Sequence, residues 1–269
     1  MHLVKSSWLL AFRTNDSLPK QRPMEANHHF SRQAVGYARY RPDYPDELIR
    51  FILSQINGYD TLWDVGTGNG QLARQLAPFF QRVYATDHSA EQLQQAHGTG
   101  NIQFIQCRAE QTPLPDHQVD LVTAAQSIHW FDRPAFYREV RRTGKTNGWL
   151  AAIGYGLMQA EGLEEPLRDF HQRTFGEFLT RERQLVDGHY AHLDFPFKEV
   201  SCPEFSNSYT WDLPTLEGYF NTWSSVQKYI DRYHTNPVPD LIAEIHRVYG
   251  NQDAVPVTFP YFLRLGRIQ

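Results

Sequence analysis

The 269-residue chain contains only two cysteines, Cys107 and Cys202, which lie far apart in the sequence. Neither belongs to a CxxC pair or to a Cys/His spacing typical of zinc ligands, so the sequence predicts neither a disulfide framework nor a metal site. It also lacks any apolar run near the roughly 20 residues that span a bilayer. We therefore expect a soluble, cytoplasmic protein with no metal and no membrane partner.

An excess of positive charge is missing as well. The chain has 26 basic and 30 acidic residues, a formal net charge of -4, and no basic run. This balance disfavours nucleic acid as a partner, because such proteins attract phosphates with clustered Lys and Arg. Aromatic residues, in contrast, make up 14% of the chain, and we expect some of them to line an apolar pocket.

The sequence predicts one domain preceded by an extension. Residues 1–26 carry several basic side chains around an apolar stretch that is too short for a secretory signal, and we expect them to be disordered. Residues 27–269 are predicted to form lid helices (27–60), a cofactor-binding core (61–155), a substrate cap (156–252) and a terminal strand (253–269).

Short apolar runs alternate with amphipathic segments along the core. The pattern predicts helices at 46–56, 71–79, 89–97 and 133–142, and strands at 61–65, 82–86, 102–106, 119–124 and 149–155. Such alternation is typical of an α/β fold with a doubly wound, mostly parallel sheet. In the cap and beyond it we expect helices at 163–179, 215–229 and 240–249, and strands at 198–209 and 255–268.

Three glycines, Gly66, Gly68 and Gly70, alternate directly after the first strand and before a helix. Glycine suits such a turn because the backbone must bend sharply and approach a ligand without an intervening Cβ. An acidic residue, Asp87, follows the second strand, where a carboxylate can accept hydrogen bonds from ribose hydroxyls. Ala109 and Glu110 follow the third strand and are suited to lining an adenine ring.

The glycine spacing favours one cofactor over another. A dinucleotide fingerprint reads GxGxxG, whereas here the third glycine is Gly70 and residue 71 is Gln. The pattern Asp-x-Gly-x-Gly-x-Gly, which begins at Asp64, suits a ligand without a pyrophosphate, namely S-adenosylmethionine. A nicotinamide or flavin site, and a turn that serves only strand–helix geometry, are the alternatives.

The segment 27–155 resembles class I S-adenosylmethionine-dependent methyltransferases, and more narrowly the trans-aconitate methyltransferase-like subgroup. The resemblance rests on the glycine motif and on four further segments: HFS at 29–31, YARYRPDYP at 37–45, AAQSIHWFD at 124–132 and TWSS at 222–225. It implies a Rossmann-like fold with an N-terminal helical lid and an inserted C-terminal cap. It also implies an enzyme that transfers a methyl group from S-adenosylmethionine to a small molecule.

The resemblance further implies roles for single residues. Asp87 would hold the ribose, Ala109 and Glu110 the adenine, and Gln126 would face the methionine part, while Arg41 is the candidate for the cofactor carboxylate. Around the amino-acid part of the cofactor we expect Asp64, Gly66, Thr67, Gly68 and Gly70.

The acceptor side is less defined. A carboxylate acceptor, as in the aconitate-like members, is already ionised near neutral pH and needs no base. His129 is the candidate catalytic residue, either as a base or in positioning the substrate, with packing at the end of the sheet as the alternative. Tyr37, Trp130 and Trp223 are the other candidate substrate-binding residues, and Tyr219, Phe220, Trp223 and Tyr229 are expected on one helix face.

Two other functions compete with this prediction. A non-catalytic protein that binds S-adenosylmethionine for sensing or assembly would keep the same glycines and Asp87. An NAD-dependent oxidoreductase is disfavoured by Gln71, where its fingerprint would have a glycine. His189 and His192 are predicted to lie in a solvated loop rather than at a metal site.

Overall fold

The computed structural model describes residues 40–176, 180–250 and 254–269, so the predicted extension 1–26 and residues 27–39 of the predicted lid lie outside the described residues. The strands are β1 Thr61–Val65, β2 Arg82–Asp87, β3 Ile102–Gln106, β4 Val119–Ala125, β5 Gly144–Tyr155, β6 Lys198–Val200, β7 Phe205–Trp211 and β8 Val255–Arg267. They form a single sheet in the order β3-β2-β1-β4-β5-β8-β6, with β7 also paired to β8.

Helices connect most of these strands. They are α1 Asp46–Gln55, α2 Gln71–Leu76, α3 Ala90–Gln94, α4 Arg133–Thr143, α5 Glu164–Phe175, α6 Arg181–Asp187, α7 Leu213–Asn221, α8 Ser224–Tyr233 and α9 Val238–Tyr249. Side chains cap several of their first turns: Ser89 at α3, Asp132 at α4 and Asp212 at α7 each accept a hydrogen bond from a backbone N–H.

The first five strands run parallel to one another, and the central ones are buried along almost their whole length. Successive residues of β1 pack into two different hydrophobic clusters, Leu62 into one and Trp63 into the other. Apolar layers therefore cover both faces of the sheet, which explains the continuous apolar runs in the sequence. The predicted α/β fold with a mostly parallel sheet is confirmed.

The long strand β8 reverses the direction of the sheet. Its second half pairs antiparallel with β5 and β6, and its first half pairs antiparallel with β7. The segment 156–252 therefore contributes two strands to the sheet as well as helices. Of those helices, α5, α7, α8 and α9 pack against one another, with Phe170 against Phe220 at a ring-centroid distance of 5.5 Å.

Two elements that the sequence predicts as continuous are each divided in the structure, so these two predictions are wrong. The strand expected at 198–209 is divided into β6 and β7, and the intervening residues include Pro203, which has no N–H to donate to a neighbouring strand. The helix expected at 215–229 is divided into α7 and α8. Between them the Thr222 hydroxyl donates to the Tyr219 carbonyl at 2.6 Å, and Trp223 takes an extended backbone conformation. Of the aromatic residues expected on one helix face, Tyr219 and Phe220 consequently lie on α7, Tyr229 lies on α8, and Trp223 lies between the two helices.

The short segment 41–45 is attached to both the sheet and the helix that follows the glycine turn. The Asp43 carbonyl accepts hydrogen bonds from the hydroxyls of Tyr261 at 2.7 Å and Tyr209 at 3.2 Å. On the other side, Gln71 at the start of α2 donates to the Pro42 carbonyl at 3.2 Å. Arg41 is thereby held next to the carboxyl ends of the parallel strands.

Candidate functional site

The glycine turn follows β1, and all three of its glycines have positive φ: 64° at Gly66, 58° at Gly68 and 81° at Gly70. A Cβ added at Gly66 would lie 2.6 Å from the Cβ of Ser127, and one at Gly70 would lie 2.9 Å from the Phe104 ring. At Gly68, in contrast, the nearest atom would be 3.7 Å away. Gly66 and Gly70 are thus required by packing as well as conformation, whereas the open side of Gly68 leaves room for a ligand.

Asp64 stabilises this turn from inside the protein. Its two carboxylate oxygens accept hydrogen bonds from the hydroxyls of Thr67, at 2.5 Å, and Thr123, at 2.6 Å. Burial raises the pKa of Asp64 to about 6, and the nearby charge of Asp87 acts in the same direction. The carboxyl group therefore fixes Thr67 in the turn.

Asp87 is the last residue of β2 and lies beside the turn. Its Oδ2 accepts a hydrogen bond from the Gly68 N–H at 2.9 Å, and its Oδ1 accepts one from the Ser89 N–H at the same distance. The side chain is buried but borders the cavity above the glycines. A carboxylate oxygen can accept more than one hydrogen bond, so Asp87 can bind a hydroxyl while holding the turn.

A cavity of about 630 Å³ lies at the carboxyl ends of β1, β2 and β4. This is the position where ligands bind in open α/β sheets. The predicted cofactor-binding residues that line it are Arg41, Asp64, Gly66, Thr67, Gly68, Asp87, Ala109, Glu110 and Gln126. Gly70 is not among the lining residues, because it faces the Phe104 ring.

Two of the lining side chains are fixed by hydrogen bonds. Glu110 accepts one from the Asp132 N–H at 3.0 Å, which ties the end of β3 to the start of α4. Gln126 has a φ of 51°, which is uncommon for a residue other than glycine, and its side-chain amide donates to the Tyr155 carbonyl at 3.1 Å. A non-glycine residue held in this conformation at a cavity wall is typical of functional sites.

A second, smaller cavity of about 90 Å³ adjoins the first. The residues common to both linings are Arg41, Gln126, Trp130 and Tyr155. Arg41 donates to the Tyr155 hydroxyl at 2.9 Å and to the Thr222 carbonyl at 3.1 Å, so it is held by β5 and by the break between α7 and α8. The boundary between the two cavities therefore combines a fixed cation with aromatic surfaces.

His129 and Trp223 line only the smaller cavity. The Nδ1 of His129 lies 2.8 Å from the Tyr190 hydroxyl. Burial, together with the positive charges of Arg183 and Arg133, lowers the pKa of His129 to about 3. Its imidazole is consequently neutral at any pH near 7.

The structure brings together most of the residues that the sequence predicts for the site. Tyr37 lies outside the described residues. Arg183, on α6, lines the smaller cavity, and Lys228, on α8, lines the larger one; the sequence analysis missed both. A signal for α6 was present in Thr180, which caps the helix by accepting the Arg183 N–H, and in the apolar pair Leu185 and Val186.

The region around His189 and His192 was predicted to be a loop without metal. In the described part of the chain, no group of three or more His, Cys, Asp or Glu side chains is arranged to hold a metal ion. His189 stacks on Phe262 with a ring-centroid distance of 4.8 Å. The described helices include none that is both long and apolar enough to cross a membrane.

Comparison with known proteins identifies a methyltransferase domain at residues 63–152, which contains the glycine turn, Asp87 and Gln126. A candidate methyltransferase of Dictyostelium discoideum is 28% identical over 93% of this chain and 98% of its own length. An uncharacterized methyltransferase of Schizosaccharomyces pombe is 32% identical over 74% of this chain and 80% of its own. Among solved structures, a candidate type II methyltransferase of Anaeromyxobacter dehalogenans is 32% identical with a TM-score of 0.76, covering 85% of this chain and 98% of its own.

Proposed function

The chain belongs to the class I S-adenosylmethionine-dependent methyltransferases, and we propose that it methylates a small organic molecule at a carboxylate oxygen. Its cofactor is S-adenosylmethionine. The trans-aconitate methyltransferase-like subgroup is part of the proposal, supported by the sequence segments that resemble it.

The larger cavity fits this cofactor in its chemistry. Gly68 presents an open backbone surface, and Asp87 presents a carboxylate beside it that suits a ribose diol. Ala109 and Glu110 would border the adenine. Arg41 and Gln126, at the boundary of the two cavities, would hold the carboxylate and the methionine part. Asp64, Thr67, Gly66 and Gly70 would support these contacts by shaping the turn.

One observation carries the choice of acceptor. The described residues that line the smaller cavity include two arginines but no Asp, Glu or Lys, and their one histidine has a pKa of about 3. A phenol, alcohol or ammonium acceptor would need a base to remove its proton, and such a weak base is poorly matched to that task near neutral pH. A carboxylate arrives ionised and is attracted by arginine.

The chain's own residues would contribute binding and orientation rather than proton transfer. When bound, S-adenosylmethionine supplies an electrophilic methyl group on a positively charged sulfur. Arg41 would orient groups on both sides of the boundary, while Trp130, Tyr155 and Trp223 exclude water from it. His129, neutral and contacting Tyr190, would act in positioning the acceptor.

The proposal is tested in two steps on the full chain. First, S-adenosylmethionine should protect Cys107 from alkylation, because Cys107 lines the larger cavity, and should leave Cys202 unprotected, because Cys202 is similarly half-buried but does not line it. Second, incubation with a labelled methyl donor and a library of small carboxylic acids should yield a labelled ester that mild alkali hydrolyses.

The two steps distinguish the alternatives. Equal alkylation of Cys107 with and without S-adenosylmethionine would show that the cofactor binds elsewhere. Protection of Cys107 without labelling of any compound would favour the non-catalytic binding protein. Labelled products that resist alkali would show that the acceptor atom is not a carboxylate oxygen. The cytoplasmic location stays a prediction, which cell fractionation tests.

A further inference from the structure

One positively charged side chain, that of Arg183, lines the smaller cavity but not the larger one. Arg41 lines both cavities, whereas Arg183 lines only the smaller one, where α6 places it near His129, Tyr219 and Trp223. Its positive charge is among the causes that lower the pKa of His129, which lines the same cavity. Arg183 is therefore placed to contact a ligand in the smaller cavity and not one in the larger cavity.

The guanidinium of Arg183 is oriented by its own helix. Its Nε and Nη2 contact the same carboxylate oxygen of Asp187, one turn later, at 2.8 and 2.6 Å. This pair fixes the plane of the guanidinium through its Nε–Nη2 edge, and a guanidinium can hydrogen-bond a carboxylate or another oxyanion through its two Nη atoms. Asp187 does not line the cavity, so a ligand there would contact Arg183 and not the carboxylate that orients it.

Beside Arg183 the smaller cavity presents aromatic and uncharged side chains as well as Arg41. Tyr219 and Trp223 contribute aromatic rings, with a centroid distance of 5.8 Å between them, and His129 contributes an uncharged imidazole. A small organic anion matches this combination, because its carbon skeleton can contact the rings while its charge meets the arginine.

We infer that the smaller cavity contains an anion subsite in which Arg183 binds a negatively charged oxygen group of the acceptor and Asp187 is the positioning residue that holds Arg183. The inference deepens the proposed function and rests on it, since the anion is assigned to the methyl acceptor. The shared chemistry is an oxyanion, either a planar carboxylate or a tetrahedral group such as sulfate.

The test uses isothermal titration calorimetry of the full chain with malonate, sulfate and the neutral analogue malonamide. Arg183→Gln should weaken the binding of whichever anion, malonate or sulfate, binds the wild type more tightly, by about 10- to 100-fold. It should leave the affinity for malonamide unchanged. Arg181→Gln is the matched control, because Arg181 is exposed on the same helix and does not line the cavity. Stronger binding of malonate than of sulfate would assign a carboxylate, and the reverse order a tetrahedral group.

The positioning role of Asp187 is tested through the selectivity for an anionic over a neutral ligand, and not through the stability of the protein. Asp187→Asn should reduce the ratio of malonate affinity to malonamide affinity, and Asp187→Glu should restore it. Equal anion binding by wild type and Arg183→Gln would overturn the inference, and an unchanged ratio in Asp187→Asn would overturn the positioning role. Protection of Cys107 by S-adenosylmethionine is measured in each variant, so that a failure of the anion subsite is separated from a failure of the cofactor site.

Discussion

A single carboxylate, that of Asp87, both holds the glycine turn and borders the larger cavity. Removing it in Asp87→Ala should weaken the binding of S-adenosylmethionine by about 10- to 100-fold, since hydrogen bonds to charged groups contribute about 1.5–3 kcal/mol. Asp169→Ala, which removes an exposed carboxylate on α5, is the control and should bind normally. Calorimetric dissociation constants measure the difference. An affinity for Asp87→Ala equal to that of the control would exclude the ribose role.

His129 makes the stability of the protein sensitive to acid. Because its pKa is lowered to about 3, the unfolded chain binds a proton at this residue between pH 6.5 and 3 and the folded chain does not. The contribution of neutral His129 to the free energy of unfolding is therefore present above pH 6.5. It is lost as the pH falls, and the loss is about 2 kcal/mol between pH 6.5 and 5. His129→Gln, whose side-chain amide can donate or accept a hydrogen bond with Tyr190 but does not titrate, should show a correspondingly flatter pH dependence of its unfolding free energy.

The measurement is urea unfolding of both proteins at pH 7, 6 and 5, compared as a difference so that other titrating groups cancel. Asp64 is one such group and acts in the opposite direction. Its pKa is raised to about 6, so its contribution is present below pH 4 and is lost as the pH rises through 6. Parallel curves for wild type and His129→Gln would contradict the neutral state assigned to the buried imidazole.

At the residue scale, the sequence predicts the site positions that need a positive φ, which favours glycine, or a carboxylate beside the turn. Gly66, Gly68 and Asp87 follow strand ends at fixed spacing, so their meeting at one edge of the sheet is expected from topology. The role of Gly70 could not be separated from theirs, because only the structure shows that it faces the Phe104 ring. Arg183 was missed since its helix brings it to the cavity from a distant part of the chain.

At the scale of elements, the segment 41–45 connects the glycine-turn helix to the far side of the sheet. The Tyr261 hydroxyl donates to the Asp43 carbonyl, close to Arg41. Tyr261→Phe should lower the free energy of unfolding by about 1 kcal/mol and should also weaken the binding of S-adenosylmethionine, because Arg41 loses part of its support.

The matched control is Tyr249→Phe, which removes a similar hydroxyl-to-carbonyl hydrogen bond, to Glu161, elsewhere in the chain. It should cost a smaller free energy, because that hydrogen bond is exposed, and should leave the cofactor affinity unchanged. Chemical denaturation and calorimetry on both variants supply the two measurements. Equal cofactor affinities would show that the Tyr261 contact stabilises the fold without positioning Arg41.

The elements themselves were predictable to different degrees. The central strands β1 and β4 were found because strands buried on both faces appear as continuous apolar runs. The partly exposed β2 and β3 were found because short apolar stretches alternate with helical segments. The division at 201–204 was missed although Pro203 signals it, because proline cannot donate to a neighbouring strand. The division at Thr222–Trp223 was not predictable, because it depends on a side-chain hydrogen bond. The second division matters for function, since it allows Thr222 to contact Arg41 and Trp223 to line the smaller cavity.

At the scale of the whole molecule, the sheet order explains why the two cavities adjoin. The strands β1 and β4 are neighbours in the sheet, so the glycine turn and Gln126, which follow them, border one cavity. The antiparallel pairing of β8 with β5 then places the segment 156–252, with α6 and α8, where it can form the second. The larger cavity is thus lined mainly by residues that follow the parallel strands, whereas the smaller one also requires α6 and the break between α7 and α8, which are distant in the chain.

Cofactor selectivity is the prediction that belongs to the whole molecule. A ligand that binds only the folded state at 100 times its dissociation constant stabilises it by about 2.7 kcal/mol, which for a chain of this size raises the midpoint of thermal unfolding by about 5–10 °C. S-adenosylmethionine should produce this shift and NAD should not, because the glycine turn lacks the spacing that a pyrophosphate requires. Differential scanning calorimetry with each ligand makes the comparison, with Asp87→Ala as the variant in which the shift is reduced. A shift with NAD alone would assign the larger cavity to a dinucleotide and so overturn the assignment of the glycine turn to an adenosyl sulfonium.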